Sequence, residues 1–166
     1  MEIRYVEDMY KLDPLTKEMI TQAETLFDVE FPDEYIKILS TQNGGYLLYD
    51  TYSCLLMPSY SSIEIQIDHL FGIGGNVGIL DIPHFQEEWN LPKGVVLISG
   101  DGHEWVALDY RNSKANPPIV YVDSEEETIT TIATSFNEFL TVLMSGTLNK
   151  VRREKLTSPL QTEKDF

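Results

Sequence analysis

The sequence predicts an α+β fold in a single domain, with helices first, antiparallel strands next and a helix last. Three observations carry that prediction. Apolar residues recur at helical spacing near both ends of the chain, at Leu15, Met19 and Ala23 and again at Phe136, Phe139 and Leu143. Ile63, Ile65 and Ile67 alternate with Glu64, Gln66 and Asp68, the period of a strand with one buried and one wet face. Between Gly94 and Arg111, two short apolar runs flank Ser99-Gly100-Asp101-Gly102-His103, which reads as a hairpin and its turn.

Taken in order, residues 1–12 form an acidic lead-in. Asp13-Pro14 predicts a helix start, Asp as N-cap and Pro at the first helical position, and the helix runs to about Phe27. A second helix starts at Phe31-Pro32-Asp33-Glu34, whose carboxylates complement the helix dipole; Tyr35, Ile38 and Leu39 mark its buried side. Asn43-Gly44-Gly45 is expected to stop it, because glycine accepts the left-handed conformation that closes a helix. Residues 46–57 and 62–68 read as strands, and 71–78 as a glycine-rich connection. Residues 79–90 are ambiguous, with Pro83 able to open a short helix through Trp89. After the hairpin, 112–118 is loop by composition, 119–122 a strand and 123–127 an acidic turn. Ser135 and Glu138 have the spacing of a capping box for a helix ending near Ser145-Gly146.

The composition is that of a folded chain, 42% hydrophobic and 23% charged over 166 residues, enough to bury roughly two thirds of its unfolded surface. Its charge is the outlier. There are 27 acidic against 12 basic residues, a net of -15, with no Lys or Arg between positions 38 and 92. Such a field repels a phosphate backbone, so direct nucleic-acid binding is not expected. It attracts basic partners and speeds their capture, although plain solubility explains an acidic surface equally well. A single cysteine, Cys54, rules out an internal disulfide and reads as a small core residue. With no apolar run of 18 residues and no apolar leader segment, a cytoplasmic protein without membrane contact is expected.

Residues 72–78 lack the Gly-Lys-Ser/Thr ending of a phosphate loop and the spacing of a dinucleotide fingerprint, so a structural turn is expected. Asp101, His103, Glu104 and Asp109 carry groups suited to metal binding or acid–base work. Yet His69, His84 and His103 are isolated, and none forms a His-x-x-x-His pairing. Ser99, Asp101 and His103 lie too close within one turn for nucleophile and base to align. No enzymatic activity, cofactor or metal is therefore expected, and a hydrolase using Asp101, His103 and Asp109 is the remaining catalytic reading. Trp105, Ala107 and Asp109 alternate with Val106 and Leu108. If the latter pair faces the core, Trp105 is either a binding hot spot beside carboxylates or a residue covered by a helix. The alternation leaves both open.

The order of motifs resembles a known family. Phe31-Pro32-Asp33-Glu34-Tyr35 and Asn43-Gly44-Gly45, then Trp89 with Leu91-Pro92, then Ile98-Ser99-Gly100-Asp101-Gly102 and Trp105-Val106-Ala107-Leu108-Asp109-Tyr110 carry the likeness. Val120-Tyr121-Val122-Asp123 and Ser135-Phe136 with Phe139-Leu140 complete it. Over residues 14–145 the chain resembles the SUKH superfamily, which includes the Smi/Knr domain of fungal cell-wall-assembly regulators. The resemblance implies a curved, mainly antiparallel sheet with N- and C-terminal helices packed on it. It divides the chain into a SUKH-like domain, 1–146, and a polar, basic tail, 147–166, outside the pattern. The acidic segment between 38 and 92 departs from the pattern and is a candidate partner-specific region. The resemblance also implies an immunity protein whose partner is a cognate toxin, most simply a basic nuclease domain. The alternative is a non-enzymatic regulatory or scaffold protein of the Smi/Knr type, binding a cellular protein. No catalytic residue is carried over, and no feature of the sequence sets an oligomeric state. The charge supplies a separate motive, since nucleases need basic surfaces that an acidic protein can occupy. Asp101, Glu104, Trp105, Asp109, Glu125, Glu126 and Glu127 are the expected partner-binding residues.

Overall fold

The computed structural model describes residues 8–48, 51–56 and 61–145. The expected tail, 147–166, lies outside them. The first helix begins later than Asp13-Pro14 suggests. Thr16 is the N-cap of α1 (Lys17–Phe27), its side-chain oxygen accepting from the Met19 N–H at 3.2 Å. Asp13 is drawn away because its carbonyl accepts from Asn43 Nδ2 at 2.8 Å. Ala23 is buried and Met19 and Phe27 are half-buried, whereas Leu26 is exposed.

The second helix, α2 (Asp33–Thr41), starts where the sequence places it, with Tyr35 and Leu39 buried. Its end differs. Gln42 closes the helix in an extended conformation, and the left-handed glycines follow it. They turn the chain instead of capping the helix. Gly44, at φ +81°, passes so close to its neighbours that a Cβ would sit 2.3 Å from the Tyr10 carbonyl oxygen.

The strand expected over 46–57 is split between β1 (Gly45–Tyr46) and β2 (Thr51–Leu56). Antiparallel to them run β3 (Ser61–Gln66), paired with β2, and β4 (His69–Leu70), paired with β1. Ile65 and Ile67 are buried while Glu64, Gln66 and Asp68 are exposed, as the alternation requires. A single turn of 3-10 helix at Ile79–Asp81 leads into α3 (Ile82–Glu88), with Pro83 in its opening turn.

A four-stranded antiparallel sheet follows in the order β5 (Val95–Gly100), β6 (Glu104–Asp109), β7 (Ile119–Asp123) and β8 (Thr128–Ala133). Three of these strands were expected. β8, Thr-Ile-Thr-Thr-Ile-Ala, lacks clean alternation, and its β-branched residues suit a pleated surface. A bulge between Leu97 and Ser99 interrupts the β5–β6 register, and the Ile98 carbonyl accepts from the Phe71 N–H at 2.8 Å. This bond ties the chain after β4 to the edge of the large sheet.

The closing helix, α4 (Phe136–Ser145), buries Phe136, Phe139 and Leu143. Ser135 Oγ accepts from the Glu138 N–H at 3.1 Å. The Glu138 carboxylate reaches back to the Thr134 N–H at 2.6 Å, one residue outside a standard capping box. Phe139 stacks on Tyr52 at 5.0 Å and Phe136 meets Tyr35 edge-on at 5.2 Å. Both tyrosines are core rings with satisfied hydroxyls. Tyr35 donates to the Phe71 carbonyl at 2.6 Å, and Tyr52 donates to Ile132 at 2.7 Å. Burial pushes the Tyr52 hydroxyl up to about 12. Cys54 is half-buried against the same core, as expected of a small apolar side chain.

Asn43 joins the remote segments. It is 1% exposed, and Nδ2 donates to the carbonyls of Asp13 at 2.8 Å and Ile73 at 3.0 Å while Oδ1 accepts from the Ile73 N–H at 2.8 Å. Asn43→Ala leaves those backbone groups without their partner. It is expected to cost about 3 kcal/mol, read as a lower urea midpoint with an unchanged slope.

Candidate partner-binding surface

Antiparallel pairing returns alternate connections to one end of a sheet, so the β5–β6 and β7–β8 turns lie side by side. Each turn is built by an aspartate. Asp101 Oδ1 accepts from the N–H groups of His103 and Glu104, both at 3.0 Å. Asp123 Oδ1 does the same for Glu125 at 3.0 Å and Glu126 at 2.9 Å. Ser124 stitches the turns together, its N–H donating to the His103 carbonyl at 2.9 Å and its hydroxyl to the same oxygen at 2.8 Å. His103 Nδ1 lies 2.9 Å from Glu125 Oε1. Partial burial would raise the Asp101 carboxyl, but the Glu104 and His103 N–H groups and the His103 charge hold it below its ordinary value.

Asp101, Glu104, Glu125, Glu126 and Glu127 are therefore gathered at one end of the sheet and exposed. Glu104 and Asp123 face one another across β6 and β7. Tyr121 is pushed up by burial first, then by its hydrogen bond to Glu104 and the nearby charges of Glu104, Asp123 and Asp101. Like charges this close repel, and an incoming cation relieves that repulsion.

Trp105 and Asp109 do not share this surface. Trp105 is 4% exposed, with Phe85 of α3 at 6.0 Å, so the helix covers the face that alternation left open. Both faces of β6 are buried after Glu104. Among the described residues the Trp105 indole N–H has no hydrogen-bond partner. Asp109 lies at the far end of β6, about 17 Å from Glu104 at the rise of a strand. There it forms a two-point ion pair, with Arg111 Nε at 2.8 Å from Oδ1 and Nη2 at 2.8 Å from Oδ2. Asp101, His103 and Asp109 therefore do not converge, which removes the geometry that a hydrolase built on them requires. Among the described residues no group of three His, Cys, Asp or Glu is placed to hold a metal ion.

Two aromatic positions stand out on the surface instead. Trp89, after α3, has its ring 5.7 Å from that of His103, and a Cβ on Gly102 would press against it at 2.9 Å. Tyr46 on β1 lies against Tyr10 at 5.4 Å. The sequence gives no local sign that Tyr10 and Tyr46 meet, since the contact depends on the Asn43 crossing.

This architecture agrees with a comparison at the sequence level. A family profile, SUKH_6 (SMI1-KNR4 cell-wall), matches residues 17–140. The chain belongs to the SUKH_6 family. Among SUKH proteins are immunity proteins. No curated protein matches the chain significantly. The SUKH match spans α1 through β8 and stops inside α4, so both acidic turns fall within it. No helix among the described residues is long and apolar enough to cross a membrane.

The separation of Asp109 from the acidic turns can be measured. Its side-chain hydrogen bond to Arg111, opposed by burial and aided by the Arg111 N–H and charge, lowers its carboxyl below the ordinary 3.8. A lowered folded value adds stability that is complete above the unfolded value and lost as pH falls through the folded one. Asp109→Asn is expected to cost about 1.5 kcal/mol at pH 7 and progressively less below pH 4, by urea midpoints at each pH. Partner affinity should be unaffected.

Proposed function

We propose that this SUKH protein is an immunity protein that binds a cognate toxin, a basic nuclease domain, in the cytoplasm. It neutralises the toxin by covering the surface that would hold nucleic acid, with no catalysis of its own. The observation that carries this reading is the acidic end of the sheet, where Asp101, Glu104, Glu125, Glu126 and Glu127 stand exposed on cross-bonded turns. A nuclease must present Lys and Arg to phosphates. The same side chains are attracted to carboxylates carried on turns whose backbone is held by Asp101, Asp123 and Ser124, which limits the ordering cost of association. Exposed charges of this kind act chiefly on the rate of encounter, which is electrostatically steered and falls with salt.

Co-expression with the product of the adjacent gene tests the proposal. That product is expected to arrest growth alone, to be tolerated with this chain, and to co-purify with it. A non-toxic product, or one that stays toxic and does not co-purify, would sink the idea. Replacing Glu125, Glu126 and Glu127 together by Gln is expected to lower the association rate about tenfold at low salt. Dissociation should change by less than about threefold, and the difference should fade near 1 M salt, where the screening length is about 3 Å.

A further inference from the structure

We infer that the groove beside Tyr46 is an anchoring site for an arginine or lysine side chain of the partner, with an adjacent apolar side chain seated in the groove. This deepens the reading above, since it rests on the partner being a basic protein. Steering charge alone gives fast capture and fast release. Slow release requires an anchor in a concave, partly apolar site, and Trp105 is not available for it.

The geometry around Tyr46 supplies such a site. Between α2 and β1 lies a groove of about 330 Å³ lined by Ile38, Thr41, Leu47 and Leu70, with Tyr46 at its lip. Tyr46, which lines the groove, and Leu48, two residues on, are each 39% exposed, so apolar surface is open to solvent here. Tyr10 meets Tyr46 edge to face and stacks flat on the buried His69 at 3.8 Å, which fixes the aromatic platform.

Carboxylates surround the platform. Asp8 accepts from the N–H groups of Tyr10 at 3.2 Å and Tyr46 at 3.0 Å, and Asp68 Oδ1 lies 2.5 Å from His69 Nδ1. Burial raises the Tyr10 hydroxyl first, followed by Tyr46 and by the charges of Asp68, Asp101 and Asp8, so negative potential converges on this ring. α2 ends at the groove with no basic residue in its own last turn, so the negative end of its dipole lies there. Lys11 follows Tyr10 and Lys37 precedes Ile38 in sequence, both exposed, while 38–92 holds no Lys or Arg. Aromatic faces with carboxylates and a negative helix end favour a cation, and the groove favours an apolar neighbour.

The test is a titration of the full ¹⁵N-labelled chain with the blocked peptide acetyl-Leu-Arg-Leu-amide, followed by amide chemical shifts. The neutral acetyl-Leu-Gln-Leu-amide serves as control. Shifts are expected to centre on Tyr46, Leu47 and Leu70, with the arginine peptide binding about tenfold tighter than the neutral one. Tyr46→Ala should weaken it about tenfold, and Glu126→Gln less than about twofold. Asp68→Asn, which keeps an oxygen for His69 and removes the charge, should weaken it about threefold and provides a readout if Tyr46→Ala fails to fold. Shifts confined to residues 124–127, equal binding of both peptides, or no saturable shift by about 5 mM would overturn the inference. The peptide titration does not involve the toxin. An adjacent product that fails to co-purify would remove the immunity reading and leave this one; an inert groove would do the reverse.

Discussion

The side-chain amide of Asn43 holds the crossing on which the non-sheet half of the molecule depends. Its Nδ2 and Oδ1 bind Asp13 and Ile73, residues 30 positions away on either side. The backbone bond from Leu12 N–H to the Asn43 carbonyl at 2.8 Å closes the same knot. The segments run so close that a Cβ on Gly72 would lie 2.6 Å from the Asn43 carbonyl oxygen, so glycine is required there for clearance. With the crossing fixed, Tyr10 has one place to lie, flat against His69, and Phe71 is delivered to the Ile98 carbonyl at the bulge in β5. A buried amide satisfied on both sides costs little, whereas one left half-satisfied costs much. That asymmetry makes Asn43 a specifying residue as well as a stabilising one.

The acidic end follows the opposite logic. Repulsion among exposed carboxylates opposes folding, and the chain offsets it with backbone bonds that use the carboxylates themselves. Asp101 and Asp123 each neutralise part of their cost by accepting two N–H groups. Ser124 then binds one turn to the other, so the charges cannot splay apart. Below them, the Trp105 ring fills the space that Gly100 leaves open, where a Cβ would come within 2.2 Å of it. The indole thus packs beneath the turn, in space that only a glycine at position 100 leaves.

What the sequence made legible was local. The hairpin over 94–111, the acidic turn after Val122, and the Ser135–Glu138 start of α4 depend on spacings of a few residues, and each appears where the spacing puts it. The signals that misled were equally local but lost to distant partners. Asp13-Pro14 is a sound helix start until Asn43 takes the Asp13 carbonyl, after which Thr16 becomes the cap. Gly44 and Gly45 would cap a helix were they not needed for the passage beside Tyr10 and Gly72. Alternation along β6 left Trp105 open between an exposed hot spot and a covered residue, because it cannot register α3 lying across it. β8 was hidden because a strand of threonines has neither the period of a helix nor a one-sided apolar face. The candidate site was half legible. Each acidic turn is visible in the sequence, but their adjacency depends on strand order, and the pairing of Tyr10 with Tyr46 on the Asn43 crossing.

The burial of Trp105 also bears on how the proposed partner would be held. With both faces of β6 covered, the hairpin offers charge at its tip and no apolar anchor along its length. Charge without an anchor raises the rate of encounter far more than the lifetime of the complex. Exposed aromatic and apolar groups lie instead at Trp89, beside the hairpin tip, and at Tyr46 and Leu48, all in the stretch from 38 to 92 that contains no Lys or Arg. Asp101 bridges the two regions, bound within the hairpin turn yet close enough to act on the Tyr10 hydroxyl. His69 links them mechanically, since its Nε2 faces the Gly100 N–H at 3.4 Å while its ring supports Tyr10. On the proposed reading, capture at the turns and retention at the groove would fall on elements joined through His69, so one basic surface could engage both.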